Sequence, residues 1–247
     1  MRGRTLPQRA HGVAVKVCGL TRDSDAALAA ELGAVALGVV FAPSPRQVSL
    51  ARAAEILGAA RAGVLRVGVF VDPEPGFVAE VVEACGLHWV QLSGREPPDV
   101  AAEIMEEVGV VSPLAGARGK EPRATPGPPG LLKAVHVRGP EDFRAAADYP
   151  ADAFLLDSPP LGGRMGGTGR SFDWTLANAL PWERRRVVLA GGLTAENLAK
   201  AVAAVRPAMV DVSSGVESAP GIKDAARLRN FLAAAARIGL EEGSWRG

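Results

Sequence analysis

The chain has 247 residues, 48% of them hydrophobic, and a formal net charge of +1. It is long enough for a large core and falls in the roughly 200–250 residues that α/β barrels occupy as one unit. A near-neutral balance argues against broad attraction to nucleic acid or to an anionic membrane. No run approaches the ~18 apolar residues of a membrane span. The basic start, residues 1–12, lacks the apolar stretch of a secretory signal and is expected to be a disordered N-terminal extension. Two cysteines, Cys18 and Cys85, make no disulfide framework, which points to the cytoplasm.

From residue 13 onward, short Val/Leu-rich runs alternate with alanine-rich amphipathic segments. Strands are expected at 13–18, 35–41, 65–71, 89–92, 131–137, 153–156, 186–190 and 208–212. Helices are expected at 24–32, 51–60, 76–85, 97–108, 140–148, 173–179, 195–205 and 224–238. Near-continuous apolar strands imply burial on both faces, hence a parallel sheet wrapped in helices. Eight such units are the number that closes a TIM (β/α)8 barrel, here a single domain over 13–240. A doubly wound sheet is the alternative, but no G-x-G-x-x-G follows the first strand. Thr194 is placed to cap the seventh helix, and Pro97 and Pro140 fit helix starts. The Pro/Gly-rich stretch 112–130 reads as an excursion between the fourth helix and the fifth strand, at the face away from the expected site.

In a barrel, the C-terminal ends of the strands converge on one mouth. Cys18 ends the first strand beside Gly19. It reads either as a small buried residue or as a reactive thiol. Lys16, two residues back on the same face, could favour its thiolate. Asp157 ends an apolar run, a costly place for a carboxylate unless it faces the mouth or has a partner. It reads as a loop cap or as an acid–base group with a raised pKa. Arg46, after the second strand, is a solvated loop residue or a fork for a substrate carboxylate. Asp211 interrupts the last strand. Gly191-Gly192 after the seventh strand and Ser213-Ser214-Gly215 after the eighth stand where barrels hold phosphate. The loop carrying Gly166, Gly167 and Gly169 is a linker or a lid whose amides approach a ligand. The three histidines, His11, His88 and His136, show no metal-ligand spacing, and no metal site is inferred.

Taken together, KVCGLT (16–21), LGVVFAPSPRQVS (37–49), RVGVFVD (66–72), VQLSG (90–94), FLLDS (154–158), GGTGRSFDW (166–174), LAGGLTAENL (189–198) and VDVSSGVESAPGIKD (210–224) resemble the phosphoribosylanthranilate isomerases. These stretches occur in the family's order and cover nearly all of residues 14–235. The resemblance implies an Amadori rearrangement in tryptophan biosynthesis, without a cofactor, on a small phosphorylated substrate, in a monomer or homodimer. It implies that Cys18 is the general base and Asp157 the general acid. Arg46 would hold the anthranilate carboxylate, and Asp211 would position the substrate. Gly191, Gly192, Ser214 and Gly215 would hold the phosphate, and the 166–169 loop would fold over it. One departure stands out: the family's strand-four motif Gln-Leu-His-Gly reads Gln-Leu-Ser-Gly here, with Ser93 in the histidine's place. The competing expectations are a related barrel with a different sugar-phosphate substrate and a non-catalytic binder.

Overall fold

A computed structural model describes residues 4–7, 9, 11–110, 128–159 and 171–239. Eight strands, β1 (Ala14–Val17), β2 (Ala36–Val40), β3 (Leu65–Phe70), β4 (Trp89–Leu92), β5 (Gly130–His136), β6 (Ala153–Asp157), β7 (Val187–Leu189) and β8 (Met209–Val212), pair in parallel in chain order. β8 returns to pair with β1, so the sheet is a closed barrel and the doubly wound alternative is excluded. Around it lie α1 (Asp23–Glu31), α2 (Leu50–Gly58), α3 (Pro75–Cys85), α4 (Pro98–Val110), α5 (Pro140–Ala145), α6 (Leu198–Val205) and α7 (Ala225–Arg237). The excursion expected at 112–130 lies, up to residue 127, outside the described residues.

Period-two alternation sorts each strand between two cores. Val13, Val15 and Val17 join the apolar layer beneath the helices, with Phe154, Leu156, Val210 and Val212. Ala14, Ala153, Leu155, Val188 and Met209 fill the barrel interior. Continuing that second set toward the strand ends reaches Lys16 and Cys18 on the first strand, Asp157 on β6 and Asp211 on β8. The polar residues at the mouth are therefore the inward-facing continuation of the interior core.

Three expectations change. The segment expected as helix at 173–179 is a 3₁₀ helix, Trp174–Ala179, capped by Asp173, whose side chain accepts from the Thr175 amide. It is short and Pro181 follows closely, which favours the tighter i→i+3 turn. The helix expected from 195 begins at Leu198, after a turn, with Asn197 rather than Thr194 at the cap position. Asn197 holds that turn by accepting from the Thr194 amide and donating to the Gly192 carbonyl. The N-terminal stretch is also more than an unattached extension. Leu6 is buried with Ala36, Val67, Trp89 and Leu132 in the interior core, and Arg4 donates to the His88 carbonyl. An apolar side chain that reaches the open lower end of a barrel gains burial by staying there.

Candidate active site

The mouth holds a cavity of about 310 Å³ lined by Cys18, Arg46, Asp157, Asp211 and the turns after β7 and β8. Residues expected at the ends of five separate strands thus meet at one place. Gly166, Gly167 and Gly169 lie outside the described residues.

Cys18 is fixed by the ladder it prolongs. Its amide donates to the Val212 carbonyl at 2.9 Å, one step beyond the β1–β8 pairing. Its carbonyl accepts from Lys223 Nζ at 2.7 Å. Gly38 on β2 clears space for the thiol, since a Cβ there would stand 2.9 Å from Cys18 Sγ and 3.2 Å from Lys16 Nζ. Burial pushes the thiol's pKa up and Asp211 adds to the rise; Lys16 and Lys223 oppose it without overcoming it. The net direction is upward, so Lys16 does not by itself make a resting thiolate. Its ammonium is committed to Asp211, at 3.0 Å, in a buried pair across the β1–β8 register.

Asp157 ends β6 facing the cavity. Its Oδ1 accepts from the Ser158 amide at 2.7 Å. Burial pushes its pKa up to about 6; Asp211 adds to that, while His136, the Ser158 amide and Lys16 hold it back. A carboxyl titrating there can be a proton donor near neutral pH.

Arg46 reaches the cavity with part of its fork in use. Nε and Nη2 donate to the two carboxylate oxygens of Glu217, at 2.9 and 2.7 Å. Glu217 also accepts from Lys223 Nζ at 2.8 Å. Burial raises the Glu217 carboxyl's pKa, but the bonds to Arg46 and Lys223 outweigh it and leave it below its ordinary value. Gly19, at φ +70°, lets this network form, because a Cβ there would stand 2.5 Å from Arg46 Cδ. Glu217 and Lys223 went unnoticed in the sequence. They sit on a small hairpin, β9 (Glu217–Ala219) and β10 (Ile222–Lys223), and only its fold brings them under Arg46 and Cys18.

The turn after β7 carries Gly191 and Gly192 at φ +85° and +61°, backbone that glycine adopts without strain. Ser214 and Gly215 open a 3₁₀ turn, Ser214–Val216, after β8. A Cβ at 215 would collide with the Leu193 carbonyl oxygen, so the two glycine turns lock against each other. His136, at the end of β5, and Gln91, on β4, also line the cavity. Sequence reasoning passed over His136 because a lone histidine has no spacing signature. Its strand-end position was the available signal.

A closed eight-stranded barrel with a thiol, a carboxyl and paired glycine turns lining one cavity at its C-terminal mouth has the architecture of a (β/α)8-barrel enzyme. Comparison with known proteins narrows that class. The family model for N-(5'-phosphoribosyl)anthranilate (PRA) isomerase matches residues 15–124 and 130–234. The N-(5'-phosphoribosyl)anthranilate isomerase of Geobacter sp. (strain M21) is 42% identical over 225 residues, covering 91% of this chain and 98% of that protein. The crystal structure of the Thermus thermophilus enzyme superposes with a TM-score of 0.73 at 40% identity, covering 92% of this chain and 100% of that one. A phosphoribosylanthranilate isomerase in complex with reduced 1-(o-carboxyphenylamino)-1-deoxyribulose 5-phosphate superposes with a TM-score of 0.71 at 35% identity, covering 90% and 98%. The chain belongs to the N-(5'-phosphoribosyl)anthranilate isomerase family.

Proposed function

We propose that Cys18 is the general base and Asp157 the general acid by which this chain, an isomerase of tryptophan biosynthesis, rearranges N-(5'-phosphoribosyl)anthranilate to 1-(2-carboxyphenylamino)-1-deoxyribulose 5-phosphate. The observation that carries the assignment is the convergence of the thiol and a carboxyl titrating at about 6 on one cavity. Asp157 gives its proton to the ribose ring oxygen as the bond from that oxygen to the anomeric carbon breaks, leaving a cationic Schiff base. The cation acidifies the proton on the adjacent carbon and lowers the pKa of a thiol beside it. Cys18 then gives its own proton to solvent through the open mouth and, as the thiolate, removes the proton on that carbon; the resulting enolamine tautomerises to the ketone.

Arg46 holds the anthranilate carboxylate with the part of its fork not bound to Glu217. The salt bridge keeps the guanidinium pointed at the mouth before substrate arrives. The amides of the Gly191-Gly192 and Ser214-Gly215 turns take the phosphate, and Asp211, held by Lys16, orients the sugar. The partner in this reading is a small phosphorylated molecule, with no role for nucleic acid, and the setting is the cytoplasm, in a monomer or homodimer. Among the described residues no helix is long and apolar enough to cross a membrane.

Turnover is followed by loss of the substrate's fluorescence. The wild-type protein is expected to be active, and Cys18→Ser and Asp157→Asn are each expected to lower kcat by about 10²–10⁴ with the fold intact. Absence of wild-type turnover with binding of the reduced product analogue preserved would exclude the isomerase reading. Near-full activity in either variant would exclude that residue's role.

A further inference from the structure

His136 ends β5 directly opposite Asp157 in the β5–β6 register, so neighbouring strands present an imidazole and a carboxyl side by side to the cavity. His136 Nε2 lies 3.4 Å from the Ser93 carbonyl oxygen. A carbonyl oxygen only accepts, so Nε2 carries a proton there, and in the neutral tautomer this selects, Nδ1 is left as an acceptor. That Nδ1 is buried and has no partner among the described residues; the same holds for Oε1 of Gln91. The amide nitrogen of Gln91 is already used, donating to Ser93 Oγ at 3.0 Å. Two buried acceptors on one wall of a cavity call for a ligand that brings donors, and a polyhydroxylated sugar brings several.

We propose that His136 is a substrate-binding residue of this enzyme, its Nδ1 accepting a hydrogen bond from a hydroxyl of the substrate's sugar next to Asp157, with Gln91 Oε1 accepting from a second donor. This rests on the isomerase reading above. The proposal also accounts for Ser93. Serine there is too short to bring a ring into the cavity, and the imidazole enters the same corner from the adjacent strand instead.

The test compares steady-state constants and thermal midpoints of wild type, His136→Ala, His136→Gln and Ser93→His/His136→Ala with N-(5'-phosphoribosyl)anthranilate. His136→Ala is expected to raise KM about tenfold or more while kcat stays within about threefold, the pattern of a lost ground-state hydrogen bond. His136→Gln, which keeps an acceptor, and the added Ser93→His are each expected to recover part of that KM. A KM for His136→Ala within twofold of wild type would overturn the proposal, as would a rise that neither replacement reverses. Wild-type protein without turnover overturns the isomerase reading and this inference with it. Normal wild-type turnover with an unaffected His136→Ala overturns this inference alone.

Discussion

Asp157 shows what the site demands of single residues. Its carboxyl titrates at about 6 in the folded protein against an ordinary 3.8. Between those values the folded chain binds more protons than the unfolded chain, so this group's contribution to stability falls as pH rises through that window. A rise of that size amounts to about 3 kcal/mol at pH 7 and above. Asp157→Asn is therefore expected to be more stable than wild type by up to about 3 kcal/mol at pH 8, with the difference falling to about half a kcal/mol near pH 4. Denaturant unfolding of both proteins at the two pH values checks this, and equal stability at pH 8 would contradict it. Cys18, Asp157 and Asp211 stood out in the sequence because each breaks an apolar run or closes a strand, whereas Arg46, in a loop after β2, stood out through the family resemblance. Glu217 and Lys223 were not, because their contacts arise from a hairpin between residues six apart. Neither was His136, whose meaning depends on what stands across the register.

At the level of elements, strand parity carried most of the information. Once β1 is read as inward at Ala14, Lys16 and Cys18, period two directs the polar groups of β6 and β8 to the same side. The pairing of β1 with β8 sets Lys16 beside Asp211 in the dry interior. Removing one partner of such a pair leaves a bare buried charge and typically costs about 3–5 kcal/mol, whereas replacing both by apolar groups is often neutral. Lys16→Met is thus expected to lose about 3–5 kcal/mol, and Lys16→Met/Asp211→Leu to recover most of it while staying inactive. Chemical denaturation alongside turnover measures both; failure of the double variant to recover would mean that the pair is held by something other than mutual charge. Helix boundaries were less legible than strands. Where Pro181 follows closely, the expected helix tightened into a 3₁₀ turn, and Asn197 took the cap position that Thr194 was expected to fill. A capping side chain signals that a helix starts nearby without saying which polar residue starts it.

Across the whole molecule, chemistry and closure occupy opposite ends of one barrel. The count of eight strands was legible because burial on both faces makes each strand a short apolar run. The use of residues 4–7 was not, since a single leucine in a basic stretch carries no periodicity. Leu6 plugs the lower end, with 6% of its surface exposed. Leu6→Ala is expected to lower stability by about 2 kcal/mol, and Tm by roughly 2–4 °C per kcal/mol, without altering kcat or KM. Calorimetry and kinetics on that variant test the separation of the two ends, and a change in KM would show that they are coupled. At the upper end, the burial that keeps the Cys18 thiol protonated also sets how the enzyme ages. Peroxides and alkylating agents attack the thiolate, so a sulfur that becomes basic only beside a cationic intermediate spends its idle time inert. In the role proposed for it, the buried Cys18 sulfur offers oxidants little thiolate except while a substrate is being turned over.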